Sequence, residues 1–362
     1  MRVFINGKFL GARRTGVQRV AFEMTKALDL LSAKDTADGI AARLVLSRLG
    51  TKATDFDLRS IPLKSFKGLP PIAWEQVYFP WQTRKDFALN MCNSGSFLSR
   101  RAVTVIHDAQ VYSSPQSYSK PFRLWYKFLL PLMGRRHAHI VTVSNYSKAQ
   151  LVQYGVASAD KISVIHNGAD HILSVPSTPS ILDGLSLQKH GYVLALSTTQ
   201  NHKNIRVLID AFEDPSLKGV KLVLFGKATR EDFQQALGRA ISDAVVFAGK
   251  VDDAELRALM ENAMCLGFPS TTEGFGLPVL EAMLLGCPAV VAPAGALPEV
   301  CGNAVIYADP NGPADWISAF NQLSKSPQWR QSMSEASIAQ ASQFTWARAA
   351  EKLICVLKEH VK

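Results

Sequence analysis

Cysteine is scarce, and its pattern is unpaired. The five present (Cys92, Cys265, Cys287, Cys301, Cys355) are odd in number and contain no C-x-x-C pair. That excludes a disulfide framework and fits reduced, mostly buried thiols in a cytosolic protein. No apolar run reaches the roughly 20 residues that a bilayer-spanning helix needs. The stretch Met1-Arg2-Val3-Phe4-Ile5-Asn6-Gly7 reads as strand and turn, without the apolar centre of a secretory signal. Repeats and low-complexity tracts are missing. Zinc-finger, helix-turn-helix and RNA-recognition signatures are missing too, so a nucleic acid is not the expected partner despite a formal net charge of +10. Acidic residues are sparse in one half only. Residues 1–180 carry 24 Lys+Arg against 11 Asp+Glu, whereas residues 181–362 carry 16 against 19. A basic half points to an anionic partner, either a lipid surface or a diphosphate-bearing ligand.

What is present reads as a two-domain α/β chain. At 362 residues and 47% hydrophobic content, each half can bury its own core. Short β-branched runs alternate with helical patterns: Arg2–Ile5, Leu44–Leu46, Ala102–Ile106, Ile140–Val143 and Ile162–Val164, then Tyr192–Leu196, Lys221–Phe225, Val245–Phe247, Met264–Phe268 and Ala289–Ala292. Strands apolar on both faces and separated by helices imply parallel sheets. Ser174-Val175-Pro176-Ser177-Thr178-Pro179-Ser180 reads as a linker. The expected organisation is a first Rossmann-like domain over 1–172, a linker over 173–190 and a second Rossmann-like domain over 191–343. Such doubly wound domains bind ligands beyond the carboxyl ends of their strands, here in a cleft between them.

The most informative segment is Thr271-Thr272-Glu273-Gly274-Phe275-Gly276-Leu277-Pro278-Val279-Leu280-Glu281-Ala282-Met283. Gly274 and Gly276 permit a tight turn, Pro278 suits the first position of a helix, and Gly286 suits its end. The N–H groups of Phe275, Gly276 and Leu277 then lie at a helix start, where phosphate oxygens bind well. Glu273 precedes that start, and Glu281 leans back towards it from within the helix. Carboxylates on both sides of a phosphate site suit a nucleotide-sugar, with hydroxyl-bearing rings flanking a diphosphate. On spacing alone the alternative is an ordinary loop–helix junction with a solvated Glu281.

Read with its neighbours, this segment resembles the retaining glycosyltransferases of family 4, which have the two-domain GT-B fold, and among them bacterial polysaccharide mannosyltransferases. The resemblance spans nearly the whole chain. It is carried also by Thr15-Gly16-Val17-Gln18-Arg19, His107-Asp108, Val143-Ser144-Asn145-Tyr146-Ser147, His166-Asn167-Gly168-Ala169-Asp170, His202-Lys203-Asn204, Leu297-Pro298-Glu299-Val300-Cys301-Gly302 and Phe344-Thr345-Trp346. It implies that residues 344–362 form a helix crossing back to the first domain. By resemblance, Glu273 contacts the donor sugar and Glu281 the ribose, while the Gly274, Phe275, Gly276 and Leu277 backbone holds diphosphate and sugar. Gly16, Thr198 and Val251 join the donor-binding set. Lys203 neutralises the leaving diphosphate. His107 positions the reacting centre, and Arg19, Asp108 and Ser144 line the acceptor side. The bland alternatives are a solvated Lys203 and a structural His107. Relatives often carry an arginine just before this lysine, where the chain has Ser197-Thr198-Thr199-Gln200-Asn201-His202, and a serine where Ala296 stands.

Asp55-Phe56-Asp57 matches a D-x-D metal motif superficially but lacks a strand-end context. No catalytic metal or other cofactor is expected, with Lys203 and the helix start taking the electrostatic task. The expected donor is GDP-mannose, with a UDP-hexose as the alternative. A non-catalytic nucleotide-sugar-binding protein is the second class. Two aromatic stretches, Lys120 to Arg136 and Pro70 to Trp81, combine with the basic half to suggest a polyprenyl-diphosphate-linked saccharide acceptor. They equally suggest a peripheral position on an anionic membrane, at its cytoplasmic face. Packing of an aromatic face against the first sheet is the favoured reading for most residues of the first stretch.

Overall fold

The computed structural model describes residues 2–12, 15–33, 41–46, 58–65 and 70–360. The chain forms two compact units: residues up to Gly168 together with those from Phe344 onward, and Ala169–Gln343.

The first unit is built on seven parallel strands: β1 (Arg2–Asn6), β2 (Ala41–Leu46), β3 (Leu63–Ser65), β4 (Phe87–Asn90), β5 (Ala102–Val105), β6 (His139–Thr142) and β7 (Ile162–Val164). Their order is β3-β2-β1-β4-β5-β6-β7, so the direction of winding reverses between β1 and β4. The second unit has six: β8 (Tyr192–Ser197), β9 (Lys221–Gly226), β10 (Val245–Gly249), β11 (Cys265–Phe268), β12 (Ala289–Val291) and β13 (Ile306–Tyr307). Their order is β10-β9-β8-β11-β12-β13, reversing between β8 and β11. All pairings here are parallel as well. These are two Rossmann-like domains of the doubly wound kind.

Three of the strands were not expected from the sequence. β3 and β13 are sheet edges of three and two residues, too short to show a period. β4, by contrast, is central and fully buried, but its four residues sit between charged Arg84-Lys85-Asp86 and polar Asn93-Ser94. Only its neighbours in space reveal it.

The C-terminal helix Trp346–His360 belongs to the first unit, where it packs on the helix Gly16–Ala33. It buries Trp346, Ala349, Ala350, Leu353, Ile354 and Leu357, an apolar stripe at helical spacing. Gly168 is needed at its entry, because a Cβ there would lie 2.2 Å from the Trp346 backbone nitrogen. The Ser/Pro-rich stretch read as a linker is pinned to the second unit. Ser177 Oγ donates to Glu261 Oε2 (2.8 Å) and Thr178 N to Ala254 O (3.1 Å), while the Arg257 guanidinium donates to the carbonyls of Leu173 and Val175. The Asp55-Phe56-Asp57 motif lies outside the described residues.

Candidate functional site

Two loops leave the carboxyl ends of β8 and β11, the pair at which the second sheet reverses direction. That is the place where open α/β sheets hold ligands. After β8 the chain makes a tight turn over Asn201–Lys203, and Asn204 takes a left-handed conformation (φ 52°) with its amide donating to Pro310 O (2.8 Å). After β11 comes the loop 269–276 and then the helix Leu277–Leu284. Thr271 N donates to His202 O (2.8 Å), tying one loop to the other.

The ammonium of Lys203 pairs with Glu273 Oε1, the two side chains being 18% and 10% exposed. Lys203 Nζ also lies 5.6 Å from the centre of the Phe268 ring. Glu273 is held from behind. Ala296 N donates to its carbonyl (2.9 Å), and Gly295 (φ 63°) approaches so closely that a Cβ would stand 2.4 Å from the same oxygen. A buried, near-neutral pair therefore faces a loop that cannot shift without breaking both contacts.

The helix begins at Leu277, one residue earlier than expected, with Gly276 at φ 92° as its cap and Pro278 in the first turn. Gly276 is required here, since a Cβ would lie 2.6 Å from Leu297 Cδ2. The N–H groups of Gly276 and Leu277 have no hydrogen-bond acceptor among the described residues. Such orphan donors attract anions. Four residues into the helix, Glu281 Oε1 lies 3.0 Å from His171 Nε2, and both side chains are buried. His171 was missed by sequence reasoning. It stands just after the Asn167-Gly168 turn, and nothing in its spacing points at Glu281.

His202 directly precedes Lys203, in the stretch where the family resemblance leads one to expect an arginine. Burial, with the adjacent Lys203 charge adding to it, pushes its imidazole down, against an opposing pull from Glu273. A buried neutral imidazole supplies no permanent charge. Thr198 lines a cavity of about 250 Å³ with Asn201, Asn204 and Arg206. Val251 follows β10, beside a groove of about 780 Å³ formed at the ends of β9 and β10 by Gly226, Lys227, Arg230, Phe247 and Lys250.

In the first unit, His107 follows β5 and is buried. Its backbone N–H donates to Asn93 Oδ1 (2.7 Å), and its Nε2 stands 2.9 Å from the Met91 carbonyl. Burial pushes the ring down to about 4, the Met91 carbonyl pulling the other way. The imidazole is thus neutral near pH 7, with Nε2–H as donor, which leaves Nδ1 as an acceptor. Asp108 Oδ1 accepts from Gln110 N (2.9 Å). Ser144 is fully buried, and its hydroxyl caps the helix Asn145–Gln153 by accepting from Ser147 N (3.0 Å). Ser147 in turn donates from its hydroxyl to the His107 carbonyl (2.9 Å). Gly16 opens the helix Gly16–Ala33 with open space around its α-carbon, and Arg19 follows in the first turn.

Comparison with known proteins fits this architecture. Residues 183–340 match the model of glycosyl transferases group 1, and residues 81–172 match that of glycosyltransferase family 4. The chain is 32% identical to the O-antigen chain mannosyltransferase B of Escherichia coli, over 71% of this chain and 70% of that one. It is 28% identical to the O-antigen chain mannosyltransferase RfbU of Salmonella typhimurium, over 64% and 63%. Among solved structures, Anabaena Alr3699/HepE in complex with UDP and glucose superposes with a TM-score of 0.76 at 22% identity, over 99% of this chain and 100% of that one. WaaG, a glycosyltransferase involved in lipopolysaccharide biosynthesis, gives 0.65 at 16%, over 98% and 99%.

Proposed function

Because the chain belongs to glycosyltransferase family 4 and has the GT-B fold, we propose that it transfers mannose from GDP-mannose, with retention of configuration, to a lipid-linked saccharide during cell-surface polysaccharide assembly. The observation that carries the reading is the buried Lys203–Glu273 pair beside the two orphan N–H groups of Gly276 and Leu277. A diphosphate on those N–H groups would draw Lys203 towards itself, leaving Glu273 to accept hydrogen bonds from sugar hydroxyls. Glu281, braced by His171, would accept from the ribose. The acceptor hydroxyl attacks the anomeric carbon on the face that the phosphate leaves, the bond from carbon to phosphate oxygen breaks, and the hydroxyl proton passes to the departing oxygen. No protein base is needed on this route. That suits a His107 too weakly basic to take a proton at neutral pH.

The choice of mannose is supported by the two O-antigen relatives named above. A lipid-linked acceptor is supported by the helix Lys120–Arg136. Its last turns bury Leu129, Leu130 and Met133, but its first half leaves Leu124 70%, Phe128 56% and Phe122 41% exposed among Lys120, Arg123 and Lys127. Apolar side chains ringed by cations suit an anionic lipid surface. No described helix is long and apolar enough to cross a membrane.

Calorimetry with GDP, UDP and ADP tests the donor assignment. Preference for GDP is the expected result; preference for UDP replaces mannose with a UDP-linked hexose. Binding without turnover against any lipid-linked saccharide leaves a nucleotide-sugar-binding protein.

A further inference from the structure

Glu281 is a buried carboxylate with a partner at one oxygen only. Its side chain is 10% exposed, and no lysine or arginine pairs with it among the described residues. Oε1 lies 3.0 Å from His171 Nε2, within hydrogen-bond distance. Oε2 has no hydrogen-bond partner among the described residues. A buried polar atom in that state calls for an explanation, and a ligand that donates to it supplies one. The place fits. Glu281 stands one helical turn after Leu277, on the face of the orphan N–H groups of Gly276 and Leu277, and its side chain leans towards them.

The contact with His171 is not what holds the turn that carries it. The turn Asp170–Ser174 packs on the helix Leu277–Leu284 and is anchored independently. Arg257 donates to the carbonyls of Leu173 (2.9 Å) and Val175, and its Nε donates to Glu261 Oε1 (2.7 Å). Glu261 Oε2 accepts from Ser177 Oγ (2.8 Å), and Ile172 is buried. The group that lacks a second hold is the Glu281 carboxylate, on a side chain with three rotatable bonds. Without His171 it would turn among rotamers, and ordering it on binding would cost affinity. An imidazole suits this task better than a stronger cation. An arginine would engage both carboxylate oxygens at once, and a lysine would cancel the charge that strengthens hydrogen bonds from hydroxyls. One ring N–H engages one oxygen and leaves the other.

We propose that His171 is the positioning residue for ribose recognition: it holds Glu281 Oε1, so that Oε2 is aimed at the ribose hydroxyls before the nucleotide arrives. This rests on the preceding reading that Glu281 faces the ribose, and it adds that the choice of ribose over deoxyribose is made by the pair and not by the carboxylate alone.

Calorimetric binding of GDP, 2′-deoxy-GDP and 3′-deoxy-GDP, with the uridine set in parallel, tests it. The proteins are wild type, Glu281→Gln, His171→Phe and His171→Gln, with circular dichroism reporting folding. Wild type should prefer the ribonucleotide over at least one deoxy analogue by roughly tenfold, the scale of one hydrogen bond to a charged group. Glu281→Gln should lose most of that preference. His171→Phe, a ring without a donor, should reduce it to about threefold or less while affinity for the deoxy analogue hardly changes. His171→Gln, which keeps an N–H donor, should retain more of it. A merely loosened fold would weaken every nucleotide alike and leave the ratio where it was. An unchanged preference in His171→Phe, or equal weakening of all the nucleotides, overturns the inference; if Glu281→Gln has nonetheless lost the preference, the ribose reading survives it. Equal binding of ribo and deoxy forms by wild type, or no nucleotide binding at all, overturns both. Should His171→Phe fail to fold, His171→Leu, which also lacks a donor, decides by the same comparison.

Discussion

Lys203 and Glu273 neutralise each other in a site that is mostly shielded from water, so removing either strands the other charge. Lys203→Ala should lower kcat for transfer by roughly 10²–10³-fold, the scale of losing one donor aimed at developing charge. Glu273→Gln should keep nucleotide binding but impair turnover. Initial rates with the identified donor check both, and a Lys203→Ala enzyme at wild-type rate would reject the role. Gly295→Ala is a structural counterpart. Its φ of 63° and the 2.4 Å approach to Glu273 O leave no room for a methyl group. A stability loss on the order of 1–3 kcal/mol is expected in chemical denaturation, together with reduced activity. Residues such as these were partly legible. The glycines and the two acids stand in one short run with a helix-start pattern, and that run is readable without a structure. The partners of those acids were not. Lys203 and Glu273 are 70 positions apart, and His171 and Glu281 are 110 apart; the folding of β8 beside β11 brings the first pair within reach, and the turn Asp170–Ser174 packed against the helix Leu277–Leu284 brings the second.

At the scale of elements, the helix Lys120–Arg136 has two unlike halves. Leu129, Leu130 and Met133 join a core with Ile140 of β6 and Ile162 of β7, whereas Leu124 and Phe128 do not. The sequence indicated an amphipathic helix, but periodicity cannot say which apolar residues find protein partners, and packing was favoured for more of them than the fold buries. Replacing Leu124 and Phe128 together by glutamate should abolish sedimentation with anionic phospholipid vesicles. Denaturation midpoint and nucleotide affinity should barely move, since neither side chain is in the core. Unchanged vesicle binding would remove the lipid-facing role. The strands show a similar boundary of legibility. Short runs containing Val or Ile announced β1, β8 and β9, while β4, Phe87-Ala88-Leu89-Asn90, stayed hidden because it holds no β-branched residue. β4 is nonetheless the strand that brings Asn90 beside Asn6.

Across the whole molecule, acid sensitivity should be concentrated in one unit. His107, His137 and His139 all belong to the first unit, and burial pushes each ring down to about 4. The fold favours the neutral rings, whereas the unfolded chain takes up protons from about pH 6.5 downward. Their stabilising contribution is therefore complete above about pH 6.5 and is lost as pH falls through about 4. His139 adds a mechanical element, for its ring stacks on His360 of the C-terminal helix at 3.8 Å. Urea denaturation followed at several pH values across that window should give steadily falling stability, and His137→Gln should flatten the slope. A stability flat down to about pH 4.5 would contradict it.

The proposed grip on a diphosphate is tested most directly by a crystal structure with the preferred nucleoside diphosphate bound. The account predicts phosphate oxygens within hydrogen-bond distance of the Gly276 and Leu277 N–H groups and of Lys203 Nζ, with Glu281 turned to the ribose hydroxyls. A diphosphate bound elsewhere, with Lys203 still on Glu273 and the start of the Leu277 helix untouched, would contradict it.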